Sequence, residues 1–194
     1  NFSDFNNDGW LDLLFTADFE TSQVYKNLQN GRFEKVTHEH TIHDQNGMGA
    51  AIADFDNNGS LDWFVSSIWD PNGHPEGSWG VIGNRLYSNQ NNQFIDITEQ
   101  AGVDKGLWAW GACFADFNND GNDDVVTSNS LFDTVSVIIG NGDGEFFLPT
   151  LFDIGEGAND PRSVTVADFN NDGNDDVVTS NFASNNISVL LGDG

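Results

Sequence analysis

Short stretches of alternating apolar and polar residues recur along the chain and predict β-strands separated by tight turns. In the first part of the chain such stretches lie at residues 11–16, 23–27 and 31–36, and clusters of Gly, Asn or Asp separate them. Alternation with a period of two is typical of a half-buried strand, and clustered Gly and Asn mark turns. Nothing in the pattern is typical of a helical protein. The pattern therefore predicts an all-β protein.

The predicted strands belong to a repeat of about fifty residues, whose most regular part is a nine-residue loop. The loop occurs at residues 4–12, 54–62, 116–124 and 168–176, at intervals of 50, 62 and 52 residues. The last two copies are also identical beyond the loop, over the fifteen residues 115–129 and 167–181. In a complete copy, one strand precedes the loop and three follow it. Four short strands in each repeat are the signature of β-propeller blades.

The strand boundaries can be predicted for each copy. First strands are predicted at 48–53, 110–115 and 163–167, and second strands at 11–16, 61–66, 124–128 and 176–180. Third strands are predicted at 23–27, 84–88, 134–138 and 187–191, and fourth strands at 31–36, 93–97 and 145–148.

We predict one repeat region over residues 1–194, with blades of four antiparallel strands at about 1–46, 47–108, 109–160 and 161–194. The first and last blades are incomplete in this division. Open blades at both ends would leave unpaired strand edges, which natural proteins avoid. We therefore expect about four repeats that form a segment of a larger propeller, or that are closed by another copy of the chain.

Charge narrows the range of partners. The chain has 31 acidic and 6 basic residues and a formal net charge of -25. Such a charge argues against nucleic acid or an anionic membrane as a partner. No apolar run approaches the roughly 20 residues of a membrane span, so we expect no membrane insertion. Because most of the acidic residues are Asp at fixed spacing, we expect cations to be their counterpart.

The spacing within the loop is that of a calcium-binding loop. Positions 1, 3, 5 and 9 are Asp or Asn in every copy, and position 6 is Gly, so that position 7 can present its backbone carbonyl. Calcium takes six to eight oxygens at about 2.3 to 2.6 Å. We predict about four Ca²⁺ sites that are partly structural, because three carboxylates in each loop would repel one another without an ion. The candidate ligands are Asp4, Asn6, Asp8, Trp10, Asp12, Asp54, Asp56, Asn58, Ser60, Asp62, Asp116, Asn118, Asp120, Asn122, Asp124, Asp168, Asn170, Asp172, Asn174 and Asp176.

Hairpin chemistry and an EF-hand both account for the loop less well than a propeller calcium site does. Asn-Asp-Gly favours hairpin turns, but turn formation does not explain four loops with oxygens at the same four positions. An EF-hand begins with the same pattern, but it needs Glu at position 12 and flanking helices. Position 12 here lies in strand-like sequence and is occupied by Phe15, Val65, Thr127 and Thr179.

The loop, its Ala-Asp-Phe entry and its Val-Val-Thr-Ser-Asn exit resemble FG-GAP repeats, also called VCBS repeats, the family that includes the integrin α-subunit propeller. The first half, with segments 84–87 and 94–98, further resembles the repeats associated with ASPIC/UnbV domains. The resemblance implies a propeller usually of seven blades, an extracellular or cell-surface location, and calcium in the loop between the first two strands of each blade. It implies the same Asp and Asn ligands.

These features predict an extracellular calcium-binding propeller that acts as a binding or adhesion module for protein or glycan. No catalytic constellation is visible, so we expect no enzyme. Two alternatives remain open. One is the propeller scaffold of a carbohydrate-active enzyme of the polysaccharide-lyase kind, and the other is a purely structural repeat of a surface fibre.

Two further groups of residues are candidates for other chemistry. Trp69 and Trp79 lie in an insertion that contains Gly and Pro, and exposed Trp stacks on sugars and anchors protein interfaces. Both are candidate ligand-binding residues. His38, His40 and His43 suggest zinc, but they lack the HExxH spacing, so a polar connector is the favoured interpretation.

Overall fold

The computed structural model describes residues 1–69 and 82–193, and within them the chain forms fifteen β-strands. The first blade contains β1 (Phe2–Ser3), β2 (Asp12–Phe15), β3 (Gln23–Asn27) and β4 (Phe33–Lys35). The second contains β5 (Gly49–Ala53), β6 (Asp62–Ser66), β7 (Arg85–Gln90) and β8 (Gln93–Asp96), followed by the short helix α1 (Thr98–Ala101). The third contains β9 (Ala109–Ala115), β10 (Asp124–Asn129), β11 (Thr134–Ile138) and β12 (Thr150–Asp153). The fourth contains β13 (Pro161–Ala167), β14 (Asp176–Asn181) and β15 (Asn186–Leu190).

Each blade is an antiparallel sheet whose strands pair in chain order. The orders are β1-β2-β3-β4, β5-β6-β7-β8, β9-β10-β11-β12 and β13-β14-β15. The register is the same in the last two blades, where Val126 pairs with Val137 and Val178 pairs with Val189. The prediction of an all-β propeller with four-stranded blades is therefore confirmed, and the described part of the fourth blade contributes three strands.

The packing between blades supplies the core. Three clusters of buried side chains each draw on two consecutive blades. In the first cluster, the centre of the Phe5 ring in blade 1 lies 5.6 Å from the centre of the Phe94 ring in blade 2. Trp63 is fully buried beside Tyr87. Aromatic and β-branched side chains on the faces of the sheets thus hold neighbouring blades together, as expected for half-buried strands.

The innermost strands of neighbouring blades approach so closely that only glycine fits at two positions. A Cβ atom at Gly49 in β5 would lie 2.2 Å from the carbonyl oxygen of Trp110 in β9. A Cβ atom at Gly111 would lie 2.7 Å from the backbone nitrogen of Val164 in β13. The two glycines allow β9 to lie between β5 and β13.

The predicted fourth strand of blade 3, residues 145–148, is wrong. Phe146 and Phe147 extend the hairpin only through a bridge to Gly140 and a hydrogen bond to the Ile139 carbonyl, and the ladder of β12 begins at Thr150. Pro149 stands between the two and has no N–H to donate, so the pairing is interrupted there. The strand is consequently displaced toward the C-terminus.

Helix α1 was also not predicted. The hydroxyl of Thr98 accepts a hydrogen bond from the backbone of Leu86 in β7, and Ala101 is buried. Gly102 ends the helix in the left-handed conformation, with φ of 74°. Within residues 1–69 and 82–193, no helix has the length and apolar character that crossing a membrane would require.

Candidate metal centres in the repeated loops

All four Asp-rich loops connect the first strand of a blade to its second, and they therefore lie at the same end of the blades. The carboxylate at position 1 shapes each loop from within. In loop 1, Asp4 accepts hydrogen bonds from the backbone N–H groups of Asp8 (3.0 Å) and Gly9 (2.7 Å). The same pair of bonds recurs in the other three loops, on Asp54, Asp116 and Asp168.

Two positions in each loop adopt the left-handed backbone conformation. One is the glycine at position 6, whose φ is between 85° and 92° in the four copies. The other is position 4, where φ lies between 53° and 60°, and which was not identified from the sequence as a structural position. Asn is the residue that tolerates this conformation best after Gly, and it occupies all four sites. These residues are Asn7, Asn57, Asn119 and Asn171.

Position 5 orients the peptide that follows the glycine. Its side-chain oxygen accepts a hydrogen bond from the backbone N–H of position 7 in every loop, at 2.8 to 3.1 Å. The donors are the predicted carbonyl ligands Trp10, Ser60, Asn122 and Asn174.

The aspartate at position 9 is fully buried in all four loops. Its Oδ1 atom accepts a hydrogen bond from a backbone N–H at the end of the third strand or just after it, at 2.6 to 2.8 Å. This bond ties the loop to the sheet, so position 9 is held before any ion binds. The residues are Asp12, Asp62, Asp124 and Asp176.

The four loops differ in what contacts the second oxygen of this buried aspartate. In loops 3 and 4, Oδ2 of Asp124 and of Asp176 accepts a backbone N–H from position 2, at 2.9 Å in both. In loop 1, Oδ2 of Asp12 accepts the side-chain amide of Asn6, at 2.9 Å. The side-chain oxygen of Asn6 is itself buried, and no hydrogen bond to it is found in the described part of the chain.

Loop 2 is the exception. No described residue makes a hydrogen bond of normal geometry to Oδ2 of Asp62, although the backbone N–H of Phe55 is close enough to oppose the rise in the pKa of this carboxyl. Asp54, Asp56 and Asp62 each offer a carboxylate oxygen, and these oxygens all lie within 4.8 Å of one another. Among the described residues, this is the one group of three acidic, His or Cys side chains arranged so closely. The three carboxylates of loop 2 are therefore close enough together that one cation could bind to all of them.

The pKa shifts of the position-9 aspartates agree with their burial and with the close approach of the three carboxylates in loop 2. Burial raises the pKa of Asp62 to about 7, and the charges of Asp56 and Asp54 add to the rise. Burial also raises the pKa of Asp12 and of Asp124. A buried carboxylate that lacks a full set of partners is stabilised when a cation replaces the lost water.

The position-5 carboxylates of loops 3 and 4 are exposed, and their pKa values are lowered, whereas burial raises those of Asp12, Asp62 and Asp124. The side-chain amide of Asn118 is the main cause that lowers the pKa of Asp120. The backbone N–H of Asn174 is the main cause that lowers the pKa of Asp172, and the side chain of Asn170 contributes. In these loops the predicted ligands at positions 3 and 5 bind each other, with contacts of 2.8 to 2.9 Å.

The other predicted site residues lie away from the loops. Trp69 follows β6 at the opposite end of blade 2, where it is half-buried. Its backbone N–H donates a hydrogen bond to the Leu107 carbonyl at 2.8 Å. Trp79 lies outside the described residues. His38 and His40 line an open groove of about 620 Å³ beside β8, and His43 lies 3.8 Å from Asp96. The histidines are not part of the close acidic group described above, so the geometry gives the zinc alternative no support.

The fold and its loops define a class of protein, the β-propeller whose blades carry an Asp-rich loop between their first and second strands. Within that class, this chain belongs to the FG-GAP-like repeat family, whose model matches residues 4–65, 72–127 and 118–179. The family resemblance predicted from the loop motif is therefore confirmed.

Comparison with solved structures agrees on the fold. The chain is similar to a lectin of Agrocybe aegerita that specifically recognises non-reducing terminal N-acetylglucosamine, with a TM-score of 0.55 and 19% sequence identity. The similarity covers 99% of this chain and 51% of the lectin chain, so this chain spans about half the lectin's length. At this identity the likeness shows the fold alone. No curated protein matches the sequence.

Proposed function

We propose that this chain is a calcium-stabilised propeller module that works outside the cell and binds a protein or glycan ligand. The observation that carries the calcium assignment is loop 2, where three carboxylates converge and the buried Oδ2 of Asp62 lacks a hydrogen-bond donor. Oxygen ligands in a nine-residue loop suit a hard cation of calcium's size. Loops 1, 3 and 4 bind in the same way after their Asn side chains turn toward the ion.

An extracellular location fits this chemistry. Extracellular calcium modules work with dissociation constants of about 10⁻⁴ to 10⁻³ M, which such exposed loops can reach. The strongly negative chain, with a net charge of -25, also gains more from bound cations than a neutral chain would.

The binding role is supported by the architecture. The loops occupy one end of the blades, which leaves the opposite end, where Trp69 lies, available for a ligand. The lectin that shares the fold binds a sugar, which favours a glycan over a protein ligand. We further propose that the chain binds without catalysing a reaction. Turnover of an acidic polysaccharide by the purified protein would refute that part of the proposal.

Removal of calcium tests the proposal directly. Saturation of one site at a hundred times its dissociation constant adds about 2.7 kcal/mol to the free energy of unfolding. For a chain of this size that corresponds to roughly 5 to 10 °C per site. We expect excess chelator to lower the melting temperature by at least this amount, and calcium to restore it.

Magnesium is the control for this experiment. It requires stricter octahedral geometry and loses its water reluctantly, so we expect it to restore the melting temperature poorly. A melting curve that does not change with excess chelator would eliminate the structural role of calcium.

A further inference from the structure

Lys26 of blade 1 places a positive charge beside a predicted calcium ligand. It lies near the end of β3, and its Nζ atom is 3.6 Å from Oδ2 of Asp8, the position-5 carboxylate of loop 1. Within residues 1–69 and 82–193, this is the one ion pair that joins a basic side chain to an aspartate of any of the four loops. Loop 1 therefore faces a cation that belongs to the chain itself.

The strand register shows which residues occupy the same place in the other blades. In every blade a backbone N–H near the end of the third strand binds the position-9 aspartate. The residue just before that donor is Lys26 in blade 1 and Ser88 in blade 2, and it is Ile139 and Leu191 in blades 3 and 4. Ser88 donates a hydrogen bond to Asp56 of loop 2, at 3.3 Å. Blade 1 is thus the one blade with a basic residue at this place.

The side chains of loop 1 differ from those of the other loops in a matching way. In loops 3 and 4, the position-3 amide donates to Oδ2 of the position-5 carboxylate, at 2.8 to 2.9 Å. In loop 1, Lys26 approaches that oxygen instead, and the amide of Asn6 donates to Asp12. In loops 2, 3 and 4, the position-3 oxygen accepts the backbone N–H of position 5. No described residue donates a hydrogen bond to the corresponding oxygen of Asn6.

Every carboxylate of loop 1 consequently has a partner without an added ion. Asp4 accepts two backbone N–H groups, and Asp12 accepts one backbone N–H and the amide of Asn6. Asp8 has the ammonium group of Lys26. Burial raises the pKa of Asp12, and the charge of Lys26 is one of the effects that oppose the rise, so the ammonium group acts on a second carboxylate as well.

We propose that Lys26 is the resident cation of loop 1, so that this loop keeps its shape without calcium and binds calcium more weakly than the other three loops. To coordinate calcium, Asp8 must lose its contact with the ammonium group, which remains nearby as a charge that repels the ion. The three carboxylate ligands and the ammonium group sum to two negative charges, against three in each other loop. Calcium affinity depends on this charge. The inference rests on the proposed calcium binding and specifies which of its sites fills last.

The test is a calcium titration of the chain, followed by the NMR signals of the backbone amides of the position-6 glycines. Each of these amides donates to the position-1 aspartate of its own loop and so reports on one loop. In the parent, we expect Gly9 to reach its midpoint at a higher calcium concentration than Gly59, Gly121 and Gly173. Lys26→Ser gives blade 1 the residue of blade 2. It should lower the Gly9 midpoint by about tenfold, because it removes a unit charge within a few ångströms of the ion.

Two further variants separate the charge of Lys26 from its packing. Lys26→Arg keeps the charge and should keep the Gly9 midpoint of the parent. Lys35→Ser is the matched control, because Lys35 lies on the neighbouring strand β4 and pairs with Glu39 at 3.0 Å. It should leave all four midpoints unchanged. In excess chelator, Lys26→Ser should melt at a lower temperature than Lys35→Ser, because the carboxylates of loop 1 then lack any cation.

The outcomes distinguish this inference from the proposed function. A Gly9 midpoint that Lys26→Ser leaves unchanged, or that Lys26→Arg lowers equally, would overturn the role of Lys26 and leave calcium binding by the chain intact. The same conclusion follows if Gly9 of the parent responds at or below the calcium concentrations of the other three glycines. If none of the four glycines responds to calcium, the proposed calcium binding is itself wrong, and the inference is wrong with it.

Discussion

At the scale of single residues, the loops owe their shape to short-range contacts. The position-1 carboxylate satisfies two backbone N–H groups, and Asn and Gly supply the two left-handed positions. Some position-4 side chains also reach the neighbouring blade. Asn7 donates to the Gly59 carbonyl at 3.3 Å, and Asn119 donates to the side chain of Asn174 at 3.3 Å.

Asn57 allows the backbone requirement to be tested alone, because no hydrogen bond from its side chain is found among the described residues. Its φ is 53°. A β-branched residue strains in this conformation, so we expect Asn57→Val to lower the free energy of unfolding by about 1 to 2 kcal/mol. Asn57→Gly should remain within about 0.5 kcal/mol of the parent, since Gly adopts the conformation freely. Denaturant unfolding in calcium measures both. Equal stability of the two variants would contradict the argument.

The contrast between Asp62 and Asp124 predicts which loop binds calcium most tightly. Both are fully buried at position 9, but only Asp124 has a backbone donor on its second oxygen. We expect Asp62→Asn to weaken calcium binding at the tightest site by roughly tenfold or more, since affinity depends on ligand charge. Asp124→Asn is the matched control and should retain that site. Calorimetric titration with calcium after removal of bound metal resolves the two cases.

The melting temperature of Asp62→Asn in excess chelator is a second test of the same site. Three carboxylates within 4.8 Å repel one another when no cation is present. We therefore expect Asp62→Asn in excess chelator to melt at the same temperature as the parent or higher, although it melts lower in calcium. A variant that is less stable in both conditions would indicate that Asp62 acts only through its bond to Asn89.

At the scale of elements, the structural features that the strand pattern does not predict lie mostly in the connections between strands. Residues 37–43 join blade 1 to blade 2, and the buried Asp44 follows them. Ser22 donates to Asp44 at 2.7 Å, and the hydroxyl of Tyr87 donates to it at 3.4 Å. The carboxylate thus links the end of the connector to side chains from both blades.

This contact predicts a pH dependence of stability. Burial raises the pKa of Asp44 above its ordinary value of 3.8, although Ser22, Tyr87 and the charge of His43 partly oppose the rise. Between the unfolded and the folded pKa, the folded protein binds more protons than the unfolded chain. The contribution of Asp44 to the free energy of unfolding therefore decreases as pH rises through this window.

Asp44→Asn isolates that contribution, because Asn does not titrate and can still accept a hydrogen bond from Ser22. We expect the melting temperature of the parent relative to Asp44→Asn to fall as pH rises from about 3.8 toward neutrality. Above the raised pKa the difference should be constant. A difference that increases with pH would show that hydrogen bonds to the charged carboxylate dominate over its burial.

At the scale of the whole molecule, consecutive blades share cores, and the described part of blade 4 presents apolar side chains such as Ile187 and Val189 to solvent. Pairing of this face with further blades of the same protein, or with a second copy of the chain, remains a prediction.

Most of the fold and the location of the loops could be predicted because they depend on local chemistry. Alternating apolar residues predict strands such as β3 and β11, whose bounds match the prediction. The strand β12 could not be placed because the hairpin before it breaks at Pro149, and its position depends on pairing with β11. Trp110 lies half-buried beneath Arg162, a contact between blades that no local pattern reveals.

A repeated all-β chain with oxygen-rich loops follows from the amino-acid pattern alone, since the turn of each loop is shaped by hydrogen bonds within nine residues. Which loop has an unpartnered buried carboxylate oxygen depends on the tertiary structure, because the donors around Asp62 depend on how strands pack in blade 2. The tertiary structure also decided that Trp110, Arg162 and Phe182 meet. Those residues are distant along the chain, and the packing of one blade against the next brings them together.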